Sequence, residues 1–170
     1  MRSLVALALV LVAAVPVSAA DVTLVGPSGR VGLSEPAQAE MSAIVKREAE
    51  SCSISSVVYP DIFRGRDGAA EWQALERSSH LYVRYETPVV MRLGLRGGSP
   101  ILATEVLVGL DDPKFPRQPL TRHDGVITLH GKCGGGTSIE LMCQPALRPY
   151  FDQERLDNNC RLLERMRRPR

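Results

Sequence analysis

Four cysteines, Cys52, Cys133, Cys143 and Cys160, are spread along a chain of 170 residues, and the first twenty residues decide what those thiols can become. Met1-Arg2 supplies a basic start, Ser3 to Val15 an apolar stretch, and Val17-Ser18-Ala19-Ala20 a small-residue cleavage site. These are the three parts of an export signal. Residues 1–20 are therefore read as a signal peptide, with the mature chain starting at Ala20 or Asp21. The expected destination is the periplasm or the extracellular space, where thiols oxidise. The cysteines are then read as two disulfides rather than as metal ligands or nucleophiles.

About 150 residues remain after processing, enough for one domain with a sizeable core. We expect a single α+β domain over 21–160 and a basic C-terminal tail over 161–170. After the signal, no run approaches the ~20 apolar residues a membrane helix needs, so no transmembrane segment is expected after cleavage. No cysteine directly follows the cleavage site, which argues against a lipid anchor. The formal charge of +2 hides an asymmetry: residues 21–160 hold 15 basic and 18 acidic side chains, and Arg161, Arg165, Arg167, Arg168 and Arg170 crowd the end. Such a tail could touch anionic lipid or polysaccharide, but its plainer reading is a solvated helix end. No stripe of alternating basic and aromatic residues marks a nucleic-acid surface.

Local patterns give the elements. Val22 to Val25 reads as an edge strand, and Gly26-Pro27-Ser28-Gly29 as a turn. Ser34 is a fair N-cap and Pro36 suits a first helical turn. Met41, Ile44, Val45 and Ala49 then recur at helical spacing, with Cys52 on the same stripe. Ile54 to Tyr59 reads as a strand, Arg64 to Gly68 as a loop, and Ala69 to Arg77, with Trp72 and Leu75, as a short helix. Leu81, Val83 and Tyr85 alternate, as do Val89, Met91, Leu93 and Leu95. We expect two half-buried strands joined by a turn at Thr87, which sets Tyr85 against Val89 and Tyr82 against Arg92. Ile101 to Leu110 is a further strand. Asp124-Gly125 is the strongest local signal, since it suits a two-residue hairpin turn needing positive φ, and it sets Leu120 against Leu129. A second hairpin is expected around Gly134 to Gly136, with Ile127, Leu129 and Cys133 on one strand and Ile139, Leu141 and Cys143 on the other. The last helix runs from about Asp152, its N-cap, to Arg167, with Leu156, Cys160 and Leu163 on one stripe.

That second hairpin holds Cys133 and Cys143 roughly 13 Å out of register. Disulfide Cα atoms lie within about 7 Å of each other, so Cys133 and Cys143 are not expected to bond. Two helix-to-sheet staples follow, Cys52 to one of Cys133 or Cys143 and Cys160 to the other. The short intervening segment favours Cys143–Cys160, and hence Cys52–Cys133. The fold class is α+β: an antiparallel sheet of about 5–7 strands in meanders and hairpins, with an N-terminal and a C-terminal helix packed on one face. In architecture alone this resembles cystatin-like or cone-shaped ligand-pocket folds.

The chemistry offered is sparse. His80, His123 and His130 are the only histidines. In the Asp124-Gly125 hairpin His123 and His130 fall roughly 13 Å apart, and zinc ligands must converge within about 2.3 Å of one ion, so no metal site is expected. Surface positions are the plain reading for these histidines, and no cofactor is implied. There is no Cys-x-x-Cys, no Gly-x-Ser-x-Gly, and in Gly131 to Ser138 the lysine precedes the glycines, which is not a phosphate-loop order. Asp111 and Asp112 adjoin a turn and point apart. The one candidate binding patch is the outer sheet face carrying His80, Tyr82, Arg84, Arg92 and Arg96, which could hold an anionic ligand or a periplasmic protein.

The expected function is therefore that of an exported, disulfide-stabilised domain with a binding or structural role. The alternative is a small-molecule-pocket enzyme, a hydrolase or isomerase using Tyr85, His80 or Glu105. A third reading is an inhibitor-like module presenting the Gly134 to Gly136 tip.

Overall fold

The computed structural model describes residues 20–52, 54–56, 68–92, 100–112, 114–131 and 133–168. In chain order the elements are β1 (Ala20–Gly26), β2 (Gly29–Val31), α1 (Glu35–Ser51), β3 (Ile54–Ser56), α2 (Gly68–Glu76), β4 (His80–Arg92) and β5 (Pro100–Gly109). They continue with β6 (Leu120–His123), β7 (Val126–His130), α3 (Gly135–Met142), a single 3-10 turn and α4 (Gln153–Arg167). The strands make one antiparallel sheet of seven in the order β2-β1-β4-β5-β6-β7-β3. The residues read as a signal peptide, up to 19, together with 57–67, Leu93, Leu95 and Arg96, lie outside the described residues.

The architecture is α+β as expected, and several local readings hold. Asp124 and Gly125 take φ of 47° and 75°, the left-handed pair that a tight hairpin turn needs, and Leu120 faces Leu129 across it. Met41, Ile44, Val45 and Ala49 of α1 are all buried. Asp152 caps α4, its carboxylate accepting from the Arg155 backbone N–H.

Other local readings are corrected. Residues 80–92 form one strand, not two arms of a hairpin. Thr87-Pro88 lacks the Gly or Asn that a tight two-residue hairpin turn favours, and the chain runs straight on. The missing Pro88 N–H falls where pairing with β5 lapses, in the register shift between Arg84 and Val89. The hairpin expected at Gly134 to Gly136 is the start of α3. Gly134 sits at φ −69°, and Glu140, Leu141 and Met142 are good helix formers. Ile139, Leu141 and Cys143 matched a strand period over too few positions to exclude a helix. The flank of β7 is taken instead by β3, with Ile54 opposite His130. β1 is not an edge strand, because β2 folds back on it through a turn with Gly29 at φ 103°.

Both faces of the sheet are covered, unequally. On the inner face Leu24, Leu81, Val83, Met91, Val106 and Val108 pack against α1, α3 and the Leu156 side of α4. On the outer face α2 sets Trp72 and Leu75 on Leu107, Leu120 and Leu129. The expected N- and C-terminal helices share one face, whereas α2 takes the other. The cause lies in β5, where Val106, Leu107 and Val108 are all fully buried, a run without alternation such as a two-sided strand requires.

The two disulfides are Cys52–Cys133 and Cys143–Cys160. The favoured pairing holds, but the staples are not helix-to-sheet. Cys52 follows α1 and Cys133 lies between β7 and α3, while Cys143 ends α3 and Cys160 lies within α4. Every cross-link thus engages α3 or its approach. α3 is also held electrostatically: Glu140 pairs with Arg47 of α1 at 2.8 Å and with Arg167 of α4. The start of the expected basic tail is accordingly helical as far as Arg167. Among the described residues no helix is long and apolar enough to cross a membrane.

Candidate functional site

β4 is flanked by β1 and β5, so its outer face forms cross-strand rows. Tyr82 lies between Thr23 and Leu107, and Arg84 between Asp21 and Glu105. Glu105 in turn faces Arg122 of β6 and forms an ion pair with it at 2.7 Å. Asp21, Arg84, Glu105 and Arg122 therefore alternate in sign across four strands. The Arg122 guanidinium lies 4.3 Å from the centre of the Trp72 ring, and Tyr82 meets that ring edge-on at 6.4 Å. Burial, followed by the neighbouring Glu105 carboxylate, pushes the Tyr82 phenol up to about 12.

Of the sequence-derived patch, His80, Tyr82 and Arg84 do share the outer face. His80 is buried, its Nδ1 donating to the Ser78 carbonyl at 2.8 Å. Arg92 is exposed on the same strand, ten residues beyond Tyr82 instead of beside it, because the expected hairpin is a single strand. Arg96 lies outside the described residues. The sequence reading missed Asp21, which comes from β1, and Arg122, which joins the row from β6 through Glu105 of β5.

The residues considered for an enzymatic reading do not converge. Tyr85 points to the inner face, where burial pushes its phenol up to about 12, while His80 and Glu105 are on the outer face. Glu105 is level with Arg84, four residues and roughly 13 Å along the strand from His80. The outer face does hold a groove of about 420 Å³ between α2 and the segment after β5, lined by Glu71, Leu75, Asp112, Arg117, Gln118 and Leu120 among others.

A second cluster lies on the inner side. Glu48 occupies the position seven residues after Met41, on the apolar stripe of α1, and is 4% exposed. Its Oε1 accepts from Ser138 of α3, and Oε2 has no hydrogen-bond partner among the described residues. Burial raises its carboxyl above the ordinary value, against the weaker pull of the Ser138 and Thr137 hydroxyls. One carboxylate oxygen and the sulfurs of Cys52 and Cys133 lie within 4.8 Å of one another. Because the two sulfurs are bonded together, the trio offers no thiolate to a metal. A charged residue on a buried helical stripe was the sequence signal for this site, and it was passed over.

Nearby, His130 is not the surface histidine expected but is buried against α1. Its Nδ1 donates to the Ala49 carbonyl, so its Nε2 accepts from Thr121. His123 bonds Thr128 at 2.9 Å instead of approaching His130.

Comparison with protein-family models, with curated proteins and with solved structures found no match for this chain.

Proposed function

We propose that the chain is an exported, disulfide-stabilised domain that works by binding another protein in the periplasm or extracellular space, through the outer face of its sheet. Two disulfides accord with an oxidising compartment, since cytosolic thiols are kept reduced.

The observation that carries the binding role is the inequality of the two sheet faces. The inner face is closed by α1, α3 and α4 and by both staples. Among the described residues, α2 covers the outer face over only part of its area. Beyond α2, Val90 and Leu102 are cross-strand neighbours and remain 52% and 50% exposed. They share that face with exposed Arg84 and Arg92. Apolar contact edged by arginine is the composition of protein-binding surfaces. A free anionic ligand is the weaker fit, because Arg84 already lies between Asp21 and Glu105.

Photo-crosslinking side chains placed at Val90 and Leu102 in intact cells test this reading. The expected result is one discrete protein adduct, lost when Arg84 and Arg92 are both changed to Gln. Absence of an adduct, or equal labelling from Leu162 on the exposed side of α4, contradicts it.

A further inference from the structure

We propose that Cys52–Cys133 is an exchangeable disulfide, trading electron pairs with a cysteine dithiol presented by a second protein, and that Glu48 is the acid–base group serving its buried sulfur. The two staples sit in opposite settings. Cys133 lies just before the N-terminus of α3, where the helix dipole favours a thiolate, and Cys143 caps the C-terminus of the same helix, where it disfavours one. Among the described residues, only Cys52–Cys133 has a buried carboxyl within 4.8 Å, a span that one bridging water can cover for proton transfer.

The two sulfurs of this pair also differ in access. Cys52 is fully buried, whereas Cys133 is half-buried. Beyond it, a Cβ built at Gly135 or Gly136 would meet nothing within 4 Å, whereas at Gly134 it would meet Ser51 at 3.5 Å. An incoming chain can bring a thiol there.

The chemistry balances with a dithiol as reductant. One of its thiolates attacks Cys133 Sγ. The Cys52–Cys133 bond breaks, a mixed disulfide to Cys133 forms, and the electron pair leaves on Cys52 Sγ, which takes the proton of the neutral Glu48 carboxyl. The second thiolate of the dithiol attacks the first, closes its own disulfide and releases Cys133 as a thiolate. Glu48 and Cys133 recover protons from solvent. The dithiol is oxidised and the cysteine pair reduced. In reverse, the Glu48 carboxylate removes the Cys52 proton so that this sulfur can attack the mixed disulfide.

Other charged and titratable groups on the elements around Glu48 are already engaged or titrate elsewhere. Glu140 of α3 pairs with Arg47 and Arg167, and Lys46 pairs with Glu50 on α1. His130 of β7 is held neutral by burial down to about 4, and Tyr85 of β4 titrates near 12.

The test is reduction of the processed, folded protein by dithiothreitol, with alkylation and mass spectrometry at each cysteine. Cys52–Cys133 is expected to open at least tenfold faster than Cys143–Cys160. Its rate per dithiothreitol thiolate should fall as pH rises through the Glu48 titration. Glu48→Gln should abolish that fall, and Ser138→Ala, which removes a bond stabilising the carboxylate, should move it to higher pH. Should Glu48→Gln not fold, the wild-type rates and Ser138→Ala decide the matter. Equal opening of the two disulfides, or a pH profile indifferent to these substitutions, overturns the proposal.

Discussion

His130 joins the sheet to the last turn of α1: its Nδ1 lies 3.2 Å from the Ala49 carbonyl oxygen, an acceptor that fixes the proton on that nitrogen. Burial holds the ring neutral, so its other nitrogen, 2.6 Å from Thr121 Oγ1, accepts from that hydroxyl. Burial lowers its pKa to about 4, more than the Ala49 bond raises it. The unfolded chain, with an ordinary imidazole near 6.5, binds more protons between those values. Stability is therefore expected to be full above pH ~6.5 and to fall as pH drops toward 4, by about 3 kcal/mol from this group. Urea denaturation across that window, compared with His130→Gln, checks it. The variant should show a flatter slope, and an unchanged slope would place the proton uptake elsewhere.

Trp72 is the anchor of α2. It packs with Leu75 on Leu107, Leu120 and Leu129 and stacks under Arg122. Trp72→Ala should cost about 3–5 kcal/mol by opening a cavity in the outer core. As the only tryptophan, it also lets fluorescence follow the release of α2. Loss of less than 1 kcal/mol in chemical denaturation (about a quarter of that cost) would mean that α2 is not seated as described.

Gly109 sets how closely α2 approaches the end of β5. A Cβ built there would lie 2.7 Å from Leu75 Cδ2 and 3.1 Å from Arg117 Cδ. Gly109→Ala should destabilise by about 1–3 kcal/mol through overpacking. A thermal melt that rises instead would show that Leu75 and Arg117 yield freely.

Cys143–Cys160 closes a short loop, with a separation of 17 residues, and lies apart from the exchange chemistry proposed for the other pair. Replacing both cysteines by Ala should cost about 2–4 kcal/mol while leaving the circular dichroism spectrum of the folded state intact. A variant that fails to fold would show that the staple is required for α4 to dock at all.

Much of this fold was legible where one residue type answers one geometric demand. Asp124-Gly125 announced its hairpin because positive φ is otherwise expensive. The α1 stripe and the Asp152 cap were legible for the same kind of reason. Alternation alone was weaker. It runs through Thr87 whether the chain turns there or continues past a bulge, so the sequence could not separate one long β4 from a hairpin. Ile139, Leu141 and Cys143 fit a strand period over so few positions that the helix-forming Glu140 and Met142 decide for a helix. The sites suffered most, because Asp21, Glu105 and Arg122 meet only once strand order is known. Tyr82 and Arg84 were legible as one outer-face row of β4, whereas Glu48, an acid on an apolar helical stripe, carried a signal that the sequence reading did not use.

On the proposed reading, processing and oxidation yield a domain whose inner layer is fastened at both ends of α3. A peptide map of the protein purified from cells and medium, digested without reductant, addresses this directly. It should show an N-terminus at Ala20 or Asp21, a Cys52–Cys133 linked pair and a Cys143–Cys160 linked pair. A retained leader, a Cys133–Cys143 link or four free thiols would contradict it.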